Sequence, residues 1–158
     1  MEVAPYPNGG LRKQFFLQPG NRTKFVYDVA FNPDGEQVAS VAWDGTLRLW
    51  NATTGQQTHL SKHESVILSG VSYSRNGRRL VTTERAVGVT LWDVEFGQAI
   101  RTFSAPVKEG DVRAVLNPDG TIMAVGSHTG IVTLWDTNTI QELGQLQGHD
   151  AGRFVRDV

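Results

Sequence analysis

Between residues 25 and 60 the chain runs in short stretches of apolar and β-branched residues, each ended by a cluster of turn formers. Phe25-Val26-Tyr27-Asp28-Val29-Ala30-Phe31 is rich in residues that favour a pleated, half-buried surface, and it stops at Asn32-Pro33-Asp34-Gly35. In such a turn proline presets φ at the second position, and the closing glycine takes the left-handed conformation that lets the chain re-enter a strand. A second strand is expected over 37–42, closed by Asp44-Gly45, a third over 46–50 and a fourth over 56–60. Strands of about five residues with short turns suit antiparallel hairpins. No segment sustains the i, i+3, i+4 apolar spacing of an amphipathic helix, so almost no helix is expected.

The same pattern then recurs. Leu49-Trp50-Asn51, Leu91-Trp92-Asp93 and Leu134-Trp135-Asp136 are spaced by 42 and then 43 residues. Val89-Thr90-Leu91-Trp92-Asp93 reappears letter for letter as Val132-Thr133-Leu134-Trp135-Asp136. A turn precedes each tryptophan at the same register: Asn32-Pro33-Asp34-Gly35, Ser74-Arg75-Asn76-Gly77 and Asn117-Pro118-Asp119-Gly120. After each tryptophan a second turn leads to glutamine, at Gly55-Gln56, Gly97-Gln98 and, less cleanly, Ile140-Gln141.

A four-stranded antiparallel unit of about 40 residues cannot bury both of its faces alone, whereas units stacked around an axis share a continuous core, as in a β-propeller. Leu47-Arg48-Leu49-Trp50 fits this, with apolar groups available to both faces. Three complete units are expected, at about 24–60, 66–103 and 111–147, after a flexible tail over 1–10. Phe154-Val155-Arg156-Asp157-Val158 aligns with Phe25-Val26-Tyr27-Asp28-Val29, so 154–158 reads as the first strand of a further unit. Leu11-Arg12-Lys13-Gln14-Phe15-Phe16-Leu17 stands where a last strand would precede the first unit. The expected fold class is therefore all-β: a partial propeller of about three four-stranded blades with half-blade strands at both termini. Closed propellers use about four to eight blades. Three and a fraction do not close, so the expectation is a portion of a longer propeller, ahead of two chains completing one ring. A free-standing arc ranks last, because its end blades would expose large apolar faces.

The constellation resembles the WD-repeat (Trp-Asp repeat) family over nearly everything from Leu11 to Val158. Gly148-His149-Asp150 is similar to the Gly-His opening of that repeat, and Trp92-Asp93 and Trp135-Asp136 to its closing dipeptide. The resemblance implies a buried relay of a histidine before the first strand, a serine or threonine on the second, an aspartate in the next turn, and the tryptophan. Such a relay satisfies polar groups that would otherwise be costly to bury. The first unit carries Ser40, Asp44 and Trp50, with Gly20 where the histidine belongs. The second carries His63, Thr82 and Trp92, with Ala86 in place of the aspartate. The third keeps Trp135 but has Val125 and Thr129 at the other positions, and His149 would belong to the next blade. These residues are expected to be structural, not a catalytic triad.

Composition narrows the function. Hydrophobic residues make up 39% and charged residues 20% of 158, enough to bury a core. The formal net charge of -1 gives no electrostatic reason to expect nucleic acid. With no cysteine, disulfides, thiolate metal sites and cysteine nucleophiles are excluded. No apolar run approaches the ~20 residues that span a bilayer, and the N-terminus lacks a secretion signal, so a cytoplasmic protein without membrane contact is expected.

Other candidate sites read better as structure. His59 and His63 are four apart, a metal-binding spacing on a helix that does not converge on an outer strand and its following loop. Asn21-Arg22-Thr23 and Asn51-Ala52-Thr53 match glycosylation triplets by chance, Gly9-Gly10 opens no helix, and His128 lies in no strand-to-helix elbow. No cofactor is expected. What remains is surface, because binding residues concentrate on loops held by a rigid scaffold. The resemblance implies that the residue before the turn between second and third strands faces the binding surface, here Trp43, Arg85 and His128. Tyr27, Arg113 and Arg156 lie on first strands near the same rim and are weaker candidates. The expected function is a non-catalytic scaffold that binds protein partners through its loop face, with self-association as one route to completing its ring. The rivals are a propeller binding a small molecule or sugar, an enzyme whose catalytic part lies outside this chain, and a segment incompetent until joined to the rest of its ring.

Overall fold

The computed structural model describes residues 25–63, 66–85, 88–104 and 112–149. The strands expected at 11–17 and 154–158, and Arg156, lie outside them. Twelve strands form three four-stranded antiparallel sheets, and no helix occurs among the described residues. The first sheet comprises β1 (Val26–Phe31), β2 (Gln37–Ala42), β3 (Thr46–Asn51) and β4 (Gln57–Lys62). The second comprises β5 (Leu68–Tyr73), β6 (Arg79–Glu84), β7 (Gly88–Asp93) and β8 (Gln98–Ser104). The third comprises β9 (Arg113–Leu116), β10 (Ile122–Gly126), β11 (Ile131–Asp136) and β12 (Glu142–Gln147). In each sheet the strands pair in chain order, so every unit is a simple meander.

The turn chemistry is conserved from unit to unit in geometry as well as spacing. Gly35, Gly77 and Gly120 each donate a backbone hydrogen bond to the residue three before, Asn32, Ser74 and Asn117, at 2.8, 2.9 and 3.0 Å. Each outer pairing also carries a bulge beside the tryptophan, between Leu49 and Trp50, Leu91 and Trp92, and Leu134 and Trp135. Such bulges add twist, which the blades of a propeller need.

The core is not inside the sheets but between them. One cluster joins Ala39, Val41, Leu47 and Leu49 of the first blade to Leu68, Val71, Leu80 and Trp92 of the second. The other joins Val81, Val89, Leu91 and Phe103 of the second blade to Val112, Ala114, Met123 and Val125 beside and within the third. The middle blade thus divides neighbouring residues between two cores: Leu80 faces one way and Val81 the other, Trp92 one way and Leu91 the other. Period-2 alternation with apolar groups on both faces is what a sheet covered on both sides demands. This is the partial propeller expected from the sequence.

Candidate functional site

The relay is assembled differently in each blade. In the first, Trp50 Nε1 donates to Ser40 Oγ at 2.9 Å. In the second, Trp92 Nε1 donates to Thr82 Oγ1, also at 2.9 Å. Asp44 caps its own turn, accepting from the Thr46 hydroxyl at 2.6 Å and the Thr46 amide at 3.2 Å. In the third blade Val125 supplies no acceptor, and Trp135 packs edge-on against Phe103 with ring centroids 5.4 Å apart.

The acid missing from the second relay is supplied by another residue. Ala86 stands at the expected aspartate position, yet the carboxylate of Glu84, only 2% exposed, serves the relay from the end of β6. It lies 3.5 Å from His63 Nδ1 and accepts a short hydrogen bond from the Thr90 hydroxyl. His63 in turn packs edge-on against Trp92 at 5.2 Å. The signal in the sequence was an acid closing the otherwise uncharged run Leu80-Val81-Thr82-Thr83. His63 is therefore held by the relay, and His59 packs at the Gly97 turn, whose missing Cβ would lie 2.5 Å from the His59 ring. Among the described residues no three His, Asp or Glu side chains converge as a metal site. Asn51 caps the next turn through its side-chain oxygen, accepting from the Thr54 amide at 2.7 Å. His149 is exposed just beyond β12.

Of the proposed surface residues, the structure brings two together. Trp43 and Tyr27 stack with centroids 5.8 Å apart and planes 22° from parallel, yet remain 46% and 43% exposed. The Trp43 amide donates to the Phe25 carbonyl at 2.9 Å, which ties the backbone at Trp43 to the start of β1. Arg85 is exposed at the matching loop of the second blade, and its amide bonds the Ile67 carbonyl at the same 2.9 Å. His128, in the third blade, is half-buried, with a buried Nδ1 that has no hydrogen-bond partner among the described residues.

Arg113 is turned inward. Its guanidinium donates to the Ser69 carbonyl of the middle blade at 2.6 Å. From the other side, Asp28 accepts from the Val71 amide at 3.0 Å. Between them sits Gly70, where a Cβ would lie 2.8 Å from Arg113 Nη1 and 3.7 Å from Asp28 Oδ2. The three residues occupy equivalent repeat positions, and the glycine leaves room for both charged neighbours. Arg79 makes a comparable strut at the opposite rim, donating to Thr137 Oγ1 at 2.5 Å and Asn138 Oδ1 at 2.7 Å.

Where the first junction holds His63 and Glu84, the second holds a cavity of about 190 Å³. Phe103, Val125, Ser127, Thr133 and Trp135 are among its lining residues. Ser127 and Val125 stand at the repeat positions of Glu84 and Thr82.

The stacked blades and their indole relays define a tandem-repeat propeller scaffold. Comparison with known proteins makes this specific: the model of the family described as WD domain, G-beta repeat matches residues 12–51 and 97–136, and the chain belongs to that family. The second match runs from the outer strand of the second blade to the third strand of the next, so the sequence repeat straddles two blades and ties them together. Protein tipD of Dictyostelium discoideum is 30% identical over 131 residues, covering 82% of this chain and 21% of that protein. A guanine nucleotide-binding protein subunit beta of Oryza sativa subsp. japonica is 31% identical over 128 residues, covering 75% of this chain and 33% of its own length. Among solved structures, RRP9 WD40 repeats superpose with a TM-score of 0.73 at 19% identity, over 84% of this chain and 41% of that one. The chain thus spans about a fifth to a third of these two curated relatives.

Proposed function

We propose that this chain is a non-catalytic scaffold module that recognises a protein partner through the loop face carrying Tyr27 and Trp43. The observation behind this reading is the stacked, half-exposed pair itself. Two large rings stacked on one another offer contact area at little cost in side-chain entropy, and such aromatic anchors dominate interface energetics. Arg85 extends the patch towards the second blade with a residue type also enriched at hot spots. Arg113 is left out of the surface because its guanidinium is used between blades. The setting proposed is the cytoplasm, since a cysteine-free chain has no need of an oxidising compartment.

The test is quantitative capture of partners by the wild type and by Trp43→Ala and Tyr27→Ala, with circular dichroism verifying the fold. Each substitution should weaken a partner that uses this face by about tenfold or more. Equal recovery of every captured protein by all three forms would reject the patch.

A further inference from the structure

The second junction keeps the apolar walls of the first and loses its polar filling. At the first, the Thr90 hydroxyl is hydrogen-bonded to both Glu84 and Thr102, and Thr82 accepts the Trp92 N–H. One repeat later Thr133 and Trp135 stand at the positions of Thr90 and Trp92, but Ser127, Gln145 and Val125 replace Glu84, Thr102 and Thr82. The sequence from 105 to 111 offers no histidine in place of His63. Thr133 is 6% exposed, and neither its hydroxyl nor the Trp135 N–H makes a hydrogen bond among the described residues. Both residues line the cavity of about 190 Å³. Val89, Phe103 and Val125 give it buried apolar walls, while Ser104, Thr129 and Gln145 are exposed and leave it open to solvent.

We propose that this cavity is a binding site for a small neutral aromatic molecule bearing one hydroxyl, a phenol by chemical class. Size permits it, since an apolar cavity of roughly 150 Å³ takes a benzene ring. Phe103 and Trp135 already meet edge-on with centroids 5.4 Å apart, and a further ring can join them in edge or offset contact. A phenolic hydroxyl both donates and accepts, which suits an indole N–H and a threonine hydroxyl that have no protein partner. Buried polar groups are costly without partners, so a ligand that pairs them gains what Glu84 and Thr82 supply in the second blade. None of the described lining residues is charged, so an ionised ligand would be desolvated with no counter-ion. The site lies between the second and third blades, whereas Tyr27 and Trp43 belong to the first, so it stands independently of the partner-binding face.

Titration of the full chain with phenol, followed by the indole N–H signals in heteronuclear NMR spectra, tests the site. The Trp135 signal should shift and saturate with a dissociation constant of about 1 mM, as suits so small a ligand. Val125→Thr gives the indole an acceptor of its own at nearly constant side-chain size. Phenol should then bind about fivefold more weakly, while benzene binds as it does to the wild type. Ser127→Leu fills the cavity and should abolish binding of both. Should Ser127→Leu unfold, the ratio of phenol to benzene affinity in Val125→Thr carries the comparison alone. A Trp135 signal that stays in place throughout the titration would overturn the proposal. So would a shift that the exposed Trp43 shares and Val125→Thr leaves unchanged, which is the mark of adsorption to any accessible ring.

Discussion

Glu84 and His63 meet between the first two blades, a carboxylate oxygen 3.5 Å from Nδ1, with the Thr90 hydroxyl donating to the same carboxylate. Breaking a buried polar cluster from one side strands the remaining partners, which costs more than the cluster contributes net. Glu84→Ala should therefore destabilise by about 3 kcal/mol. Glu84→Gln, which keeps an acceptor for Thr90, should lose clearly less. Urea unfolding of both variants checks this, and an alanine variant within half a kcal/mol of wild type would contradict the relay.

The indole partners make a second comparison. Thr82→Val removes the acceptor of a buried N–H and should cost about 1–3 kcal/mol. The reverse substitution, Val125→Thr, sets a hydroxyl at the matching position for Trp135 and should leave stability unchanged or raise it by up to about 1 kcal/mol. Thermal melts should show a loss for Thr82→Val and none for Val125→Thr, and equal losses would mean that the third blade is not built on the second's plan.

Arg113 and Asp28 grip the middle blade from its two sides. Hydrogen bonds to charged groups contribute more than neutral ones, so Arg113→Ala and Asp28→Ala should each cost about 1.5–3 kcal/mol. Gly70→Ala should be damaging without removing any bond, because a Cβ there would crowd Thr83 Oγ1 at 2.6 Å. Denaturant midpoints for the three variants test the strut, and a neutral Arg113→Ala would return that residue to the surface.

At Gly45 the backbone has φ +75°, and a Cβ would lie 2.2 Å from the His63 carbonyl oxygen. The residue both turns the β2–β3 hairpin and accepts the His63 amide at 2.9 Å. Gly45→Ala should cost more than the about 1 kcal/mol of the left-handed conformation alone. Amide exchange at His63 should accelerate in the variant. Unchanged exchange would show that the approach of the two loops is slack.

Acid should act through the turn aspartates. The Thr139 and Asn138 amides donating to Asp136 hold its carboxyl below the usual range, and the Thr121 hydroxyl and amide do the same for Asp119. A carboxyl whose folded value lies below its unfolded one contributes stability above the unfolded value, near pH 4, and loses it as pH falls through the folded value. Melting temperature should hence be insensitive to these groups near neutrality and fall below about pH 4. Asp136→Ala should show a smaller drop between pH 6 and pH 3 than wild type; an identical drop would remove Asp136 from the acid response.

Much of the architecture was legible in the chain because each blade is built from local rules. Strand 37–42 is found at those limits, and 46–50 extends by one residue to Asn51. The fourth strand runs two residues beyond the expected end, to Lys62, because hydrogen bonds to β3 continue to the Thr46–Lys62 pair. The site was less legible. Trp43 could be placed on a loop, but not in contact with Tyr27, since their stacking depends on the hairpin register of a different strand. Arg113 looked like surface because a rim position and a long charged side chain suggest solvent, and only its neighbour's Gly70 makes room for it inside. Glu84 was hidden because the repeat directs attention to position 86.

What the order of residues determined by itself was the blade: turn glycines, alternating apolar positions and a tryptophan every 42 or 43 residues act over a few bonds, and these short-range constraints leave little choice. What only the tertiary structure decided was the junction. Which carboxylate reaches His63, which charge spans Gly70 and which apolar faces stay open all depend on side chains brought together from different repeats, where packing and burial, not local conformation, set the outcome.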